Sequence, residues 1–298
     1  NIELLNEWDE EKKKTFLLLH KDMKKYEFVL EMDKLIELYP KYVFIMKNGT
    51  LYAQEWVRLI NQSIIEITDL NNDPKQYRHI GNILATLFKA DIFAEEFIVF
   101  GGIKNLVDFI QLVNGNAQSE GVRALSVLFK LKNAIEYLLE NYDVYETLFK
   151  IFADCAEDIP KKVGNEKVLH HLPKVFIHTI TNARDKNNVA NVFYNTAKKY
   201  AEENGSQIFK EIMNLLNSNE AQQSRKIFVK LISVVSQNLR KDKLSSFVSD
   251  LNDVGFKDII EEQIKNKTVQ LPKFYHYLKL YEQATNEVMS GGNYQLEL

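Results

Sequence analysis

The chain has 298 residues, of which 45% are hydrophobic and 27% charged, a balance typical of folded globular proteins. A net charge of −3 gives no overall positive field, so we expect no nucleic-acid partner, and the single cysteine, Cys155, excludes an internal disulfide. The 11 glycines and 5 prolines are too few for a large all-β protein, and no apolar stretch approaches the ~20 residues of a membrane-spanning helix. We therefore expect an all-α, cytoplasmic protein without a membrane span.

The first 70 residues predict a small N-terminal helical subdomain. The run from Glu7 to Lys14 places acidic residues before basic ones, an order that suits the dipole of a helix. Apolar residues at a spacing of three or four continue this pattern over residues 21–38 and 52–67. Pro40 interrupts the first of these helices, and the cluster at 71–74 ends the subdomain.

A recurring pattern of helix, turn and helix characterises the rest of the chain. A spacing of roughly 40 residues between copies is typical of armadillo or HEAT repeats, which stack into a solenoid with one continuous core. The copies are Phe97 to Ile110, Tyr137 to Phe152 and, more weakly, Phe247 to Ile260, which turn at Gly101-Gly102, Asn141 and Gly255.

Apolar spacing predicts the remaining helices, with the least regular stretch between residues 154 and 188. We divide the chain into an N-terminal subdomain (1–70), a repeat region (71–264) and a tyrosine-rich C-terminal helix (265–298) that covers the last repeat. The predicted helices span residues 77–89, 94–100, 103–113, 119–130, 134–139, 144–153, 167–181, 189–202, 208–216, 221–238, 243–251 and 256–264.

Four stretches of this sequence resemble the regulatory region of diaphanous-type formins, in which a GTPase-binding domain precedes the formin homology armadillo region. The similarity follows the order and spacing of parts over nearly the whole chain. The stretches are Trp8 to Thr15 with Lys24 to Leu30, Leu84 to Phe97 with Gly101 to Ile103, Ala124 to Ile151, and Ser224 to Val235 with Leu251 to Phe256.

The resemblance implies a right-handed armadillo superhelix preceded by a small helical subdomain, with a regulatory and non-catalytic function. An active, GTP-loaded Rho-family small GTPase would bind it and relieve autoinhibition of actin filament assembly. The chain itself would need no cofactor, because GTP and Mg²⁺ belong to the GTPase. Actin would be bound by other domains of a cytoskeleton-associated protein.

The resemblance also indicates a GTPase-binding surface composed of N-terminal lysines and of turns in the first two repeats. Lysines there would attract the acidic surface beside the GTPase switch loops and raise the association rate, and Phe28 would supply an apolar anchor. The alternative for the N-terminal lysines is an ordinary solvated helix face. The predicted residues are Lys12, Lys13, Lys14, Lys21, Lys24, Lys25, Phe28, Lys89, Lys130, Lys132 and Asn133.

A second surface implied by the resemblance is a groove for the protein's own C-terminal autoregulatory helix. Its predicted residues are Lys230, Ser233, Val234 and Gln237. Val234 occupies the position where the family tends to have alanine. The two additional methyl groups would weaken a close contact between helices. The alternative is that Val234 packs in the repeat core.

Two other classes of function stay open at this stage. A general armadillo scaffold would bind peptides independently of GTP. An enzyme or metal site has little support, because His170, His171 and His178 lack further ligands at matched spacing and Cys155 has no evident histidine partner.

Overall fold

A computed structural model of the chain describes residues 34–38, 53–157, 164–207, 209–217, 224–265 and 272–286. Every regular element in these ranges is helical, so the described part of the chain is all-α. Residues 34–38 are helical, and Pro74–Tyr77 is a short 3-10 helix. The α-helices with described bounds are α1 (Ala53–Thr68), α2 (Arg78–Leu87), α3 (Asp91–Val99), α4 (Gly102–Leu112), α5 (Gly115–Leu128), α6 (Lys132–Glu140), α7 (Tyr142–Glu157), α8 (Asn165–Asn182), α9 (Lys186–Asn204), α10 (Lys210–Asn217), α11 (Arg225–Asn238), α12 (Lys241–Asp253), α13 (Phe256–Lys265) and α14 (Pro272–Asn286).

The chain forms two compact units, residues 1–137 and 138–298. In unit 1, α2 packs along α5, while α1 packs against α3 and α4 and α4 packs against α5. Rings fill the space between these helices, with Phe88 and Phe97 edge to face at 4.9 Å between ring centroids. Buried aromatic side chains contribute both apolar area and such ring contacts. The fully buried aromatic residues of unit 1 include Trp56, Phe93, Phe97, Phe109 and Phe129.

Unit 2 has its own aromatic core. Helix α8 packs against α7, α9 and α11, and α11 packs against α14. Phe176 of α8 lies 5.4 Å from Phe193 of α9, and Phe152 of α7 lies 6.1 Å from Phe228 of α11, measured between ring centroids. The core therefore joins side chains from α7, α8, α9 and α11.

Within each unit, several helices pack against the helix three places later in the sequence. This holds for α1 with α4 and α2 with α5 in unit 1. In unit 2 it holds for α7 with α10, α10 with α13, α8 with α11, and α11 with α14. The described helices therefore follow a local period of three helices.

Short turns recur at one point of this period. Asn141 is the single residue between α6 and α7, and Gly101 and Gly255 precede α4 and α13 with φ of +76° each. The left-handed conformation explains why glycine ends these helices. The three turns indicated by the sequence are thus confirmed. A fourth, Gly205 after α9 with φ of +58°, was missed because Ser206 and Gln207 lengthen the connection.

None of the described helices is long and apolar enough to cross a membrane. The domain boundaries expected at residues 70/71 and 264/265 stay predictions.

Candidate functional site

Helices α2 and α5 lie side by side and run in the same direction. Arg78 at the start of α2 is 3.7 Å from Glu120 in an ion pair, measured from Nη2 to Oε1. One turn further along both helices, Arg123 Nη2 donates to Asn82 Oδ1 at 2.7 Å. Because these pairs advance together along the two helices, α2 and α5 are parallel and their C-terminal ends lie at the same end of unit 1.

The turns that follow α2 and α5 have the same backbone hydrogen bonds. In each turn a buried phenylalanine, Phe88 or Phe129, donates its amide to the carbonyl four residues earlier, and the next two amides each donate three residues back. The distances are 2.8, 3.1 and 2.9 Å for Phe88, Lys89 and Ala90, and 2.9, 3.2 and 3.0 Å for Phe129, Lys130 and Leu131. The two turns are therefore structurally equivalent, which supports aligning Lys89 with Lys130.

Parallel packing places the predicted turn residues of the GTPase surface together at one end of unit 1. Lys89 is half-buried, whereas Lys130, Lys132 and Asn133 are exposed. Lys132 Nζ lies 3.6 Å from Glu136 Oε1 in an exposed pair, which contributes little to stability. We call Lys89, Lys130, Lys132 and Asn133 the paired-turn surface. Its exposed cations are available to an acidic partner.

The N-terminal part of the predicted GTPase surface lies outside the described residues. This applies to Lys12, Lys13, Lys14, Lys21, Lys24, Lys25 and Phe28.

The residues predicted for the autoregulatory groove lie on α11, between α8 and α14. Ser233 is fully buried and Val234 is 8% exposed. Lys230 is half-buried, with its Nζ 5.6 Å from the centroid of the Tyr277 ring, and Gln237 is exposed. The burial of Val234 favours the core interpretation. Of the four side chains, Lys230 and Gln237 are the ones that reach solvent substantially.

Two further cations belong to this region, Lys174 on α8 and Lys226 on α11. Lys174 Nζ is 2.8 Å from His170 Nε2, so the ammonium donates to the neutral imidazole. Burial lowers the pKa of His170, and the charges of Lys174 and Lys226 lower it further. Sequence reasoning missed Lys174 and Lys226, because only the packing of α8 on α11 brings them together. The sequence does contain one indication of a cationic surface. Lys226 and Lys230 are four residues apart, and the helix that carries them has no acidic residue.

Unit 1 also contains a polar cleft of about 490 Å³ between α1 and the 3-10 helix. Tyr77 donates its hydroxyl to Glu66 Oε2 at 2.6 Å, and Asn72 Nδ2 donates to Tyr77 Oη at 3.1 Å. These bonds tie the 3-10 helix to α1, which gives the network a structural role. Among the described residues, no three His, Cys, Asp or Glu side chains lie close enough to hold a metal ion.

No family model and no curated protein matches this chain. Four solved chains match it in structure. One of them is the crystal structure of an engineered protein, which is 17% identical with a TM-score of 0.53 and covers 95% of this chain and 100% of its own. At this identity the likeness concerns the fold alone.

Proposed function

We propose that this chain is the regulatory module of a diaphanous-type formin and binds a GTP-loaded Rho-family small GTPase through the paired-turn surface. One observation carries the proposal: two equivalent, lysine-bearing turns lie at the same end of the parallel helices α2 and α5. We also propose that the three-helix period reflects a right-handed armadillo superhelix, in which each repeat packs on its neighbours.

The charges of the paired-turn surface suit an acidic switch region. Lys130 and Lys132 are exposed, so they steer and orient an encounter more than they supply affinity. Affinity requires apolar contacts as well, and Ile92 at the start of α3 is 43% exposed close to the turn that carries Lys89. This combination of a cationic turn and an exposed apolar side chain is what a protein partner needs.

GTPase binding would act on autoinhibition through linkage. The GTPase shifts the equilibrium only by the difference in its affinity for the open and the autoinhibited states. In this proposal the autoinhibited state has the protein's C-terminal helix against α11, where Lys230 and Gln237 reach solvent. Release of that helix would free the actin-assembling part of the protein.

The test is binding of the chain to Rho-family GTPases loaded with GDP or with a non-hydrolysable GTP analogue, measured by calorimetry. Lys130→Glu should weaken binding of the GTP form about tenfold, and adding Lys132→Glu should weaken it further. The loss should shrink as salt rises. Lys75→Glu is the matched control, because Lys75 is exposed and lies before the opposite, N-terminal end of α2.

Equal affinity for the two nucleotide forms, or no binding by any member of the GTPase family, would reject this function. A general armadillo scaffold that binds peptides independently of GTP would then be the better account. An equal loss with Lys75→Glu would reject the paired-turn surface as the contact.

A further inference from the structure

Three neighbouring helices of unit 2 carry pairs of cationic or aromatic side chains at the same spacing. Helix α11 packs against α8 on one flank and α14 on the other. Side chains four residues apart lie on the same face of a helix. The pairs are His170 and Lys174 on α8, Lys226 and Lys230 on α11, and Lys273 and Tyr277 on α14. We call these six residues the basic face.

Contacts between the helices join these pairs into one surface. Lys174 donates to His170 at 2.8 Å within α8, and the charge of Lys226 on α11 acts on the same imidazole. Lys230 Nζ lies 5.6 Å from the centroid of the Tyr277 ring on α14, a cation–π distance. The basic face therefore has an electrostatic link between α8 and α11 and a cation–π contact between α11 and α14.

The charge of these helices contrasts with that of the whole chain. Together α8, α11 and α14 contain seven lysines and arginines against two glutamates, in a chain whose net charge is −3. Within the described part of the chain, neither Lys226 nor Lys230 pairs with a carboxylate. Like charges on one surface repel one another, so a ligand carboxylate placed among them would be stabilised by several charges at once.

We infer that the basic face binds an acidic peptide segment, namely the regulatory segment that the proposed function assigns to α11. Helices pack about 8–10 Å apart, so three of them present a width of roughly 20 Å. A helical peptide of about 16 residues is roughly 24 Å long and spans this width. The Tyr277 ring and the half-buried Ile227 and Leu280 add apolar contact area on α11 and α14.

A peptide fits this surface better than a nucleic acid does. A DNA-binding protein that contacts about 6–10 phosphates needs a similar number of cations, and the basic face has four lysines. The inference rests on the part of the proposed function that assigns a regulatory segment to α11. It adds that this segment is acidic.

The experiment uses the whole chain and a fluorescein-labelled amphipathic peptide of about 16 residues built from Glu and Leu. Fluorescence anisotropy should detect saturable binding that salt weakens, and the same peptide with Gln for Glu should bind at least tenfold more weakly. The double variant Lys226→Glu and Lys230→Glu should lose at least tenfold in affinity for the acidic peptide. A labelled DNA duplex and vesicles containing phosphatidylserine serve as competing probes.

A matched control separates the basic face from charge in general. Lys186→Glu with Lys243→Glu changes the net charge of the chain equally, and both residues are exposed in the first turns of α9 and α12, where acidic residues suit the helix dipole. This variant should bind the acidic peptide with at least half of the original affinity. The milder Lys226→Gln with Lys230→Gln should give an intermediate loss and provides a test if charge reversal disturbs folding.

A second readout depends on the site itself. Bound carboxylates favour the charged imidazole, so the acidic peptide should raise the pKa of His170, followed by NMR. Equal losses in the two charge-reversed variants, binding of the Gln peptide as strong as that of the Glu peptide, preference for DNA or vesicles, or an unchanged His170 pKa would each overturn the inference. No GTPase is present, so failure of GTPase binding and failure of peptide binding are separate results.

Discussion

Replacement of Gly81 by alanine tests the packing on which the paired-turn surface depends. A Cβ atom at Gly81 would lie 2.4 Å from the carbonyl carbon of Glu120 and 2.4 Å from the amide nitrogen of Gly121. Non-bonded carbon atoms prefer a separation of about 3.5–4.0 Å, so the added methyl overlaps its neighbours by about 1 Å. Because these neighbours are backbone atoms, α2 and α5 must move apart to admit it.

Two effects of opposite sign set the magnitude for Gly81→Ala. Alanine in a helix interior is favoured over glycine by about 1 kcal/mol, mainly through lower entropy of the unfolded chain. Overpacking a close contact costs about 1–3 kcal/mol and more where the backbone itself must move. We expect overpacking at Gly81 to cost about 3 kcal/mol or more. After the gain of about 1 kcal/mol from alanine, the free energy of unfolding of unit 1 should fall by about 2 kcal/mol. Since Lys89 and Lys130 follow the same two helices, GTPase affinity should fall as well.

Tryptophan fluorescence during urea unfolding measures this loss, because Trp56 belongs to unit 1. In a Trp8→Phe background the signal comes from Trp56, which is fully buried. Gly121→Ala is a graded control, because its Cβ would meet the Ile110 side chain at 2.6 Å, and a side chain can adjust. A Gly81→Ala variant that is about 1 kcal/mol more stable than the parent, as for an ordinary helix glycine, would refute the close approach of α2 and α5.

Three further predictions concern unit 2. Tyr194 donates its hydroxyl to Asp250, so Tyr194→Phe should lower the stability of this unit by about 1–2 kcal/mol in urea unfolding followed by circular dichroism, and an unchanged midpoint would contradict the bond. Burial, then the hydrogen bond to Asp250 and its charge, raise the pKa of Tyr194, and burial raises that of Tyr145. The folded state therefore holds these protons more tightly, so stability should fall as pH rises above about 10, where the unfolded chain ionises first, and a flat profile there would contradict this assignment. Lys226→Gln should raise the pKa of His170 towards its ordinary value in an NMR titration, because one of the charges that oppose imidazole protonation is removed; an unchanged pKa would place Lys226 away from α8.

Helix positions could be predicted closely from apolar spacing, with errors at ends where spacing gives no signal. The sequence predicts a start at 119 for α5, which begins at Gly115, because the first turn is mostly polar. That turn is nevertheless attached to its neighbour, since Gln118 Nε2 donates to the Ile110 carbonyl at 3.1 Å. The sequence likewise ends α7 at 153, four residues before Glu157, although Cys155 and Ala156 are buried.

Site residues divide according to whether their position depends on local or on long-range structure. Lys89 and Lys130 could be aligned from sequence, because they follow two equivalent helices, α2 and α5, and each turn is a local feature. Ser233 is next to Val234, and the resemblance implies that both face the groove. It is fully buried because neighbouring helices cover its side of α11. Which neighbours cover a helix is a tertiary property that a single-sequence pattern does not contain.

Packing explains the apolar part of α11 but not its charge. Nine of the fourteen residues in this helix are buried, as expected for a helix that packs against α8 on one flank and α14 on the other. The outward positions need only side chains that tolerate water, a requirement that uncharged or acidic residues also satisfy. Two of these positions hold Lys226 and Lys230, no acidic residue occurs in the helix, and Lys174 is on α8, which packs against α11. The fold does not require this concentration of like charge. Recognition of an acidic segment would explain it.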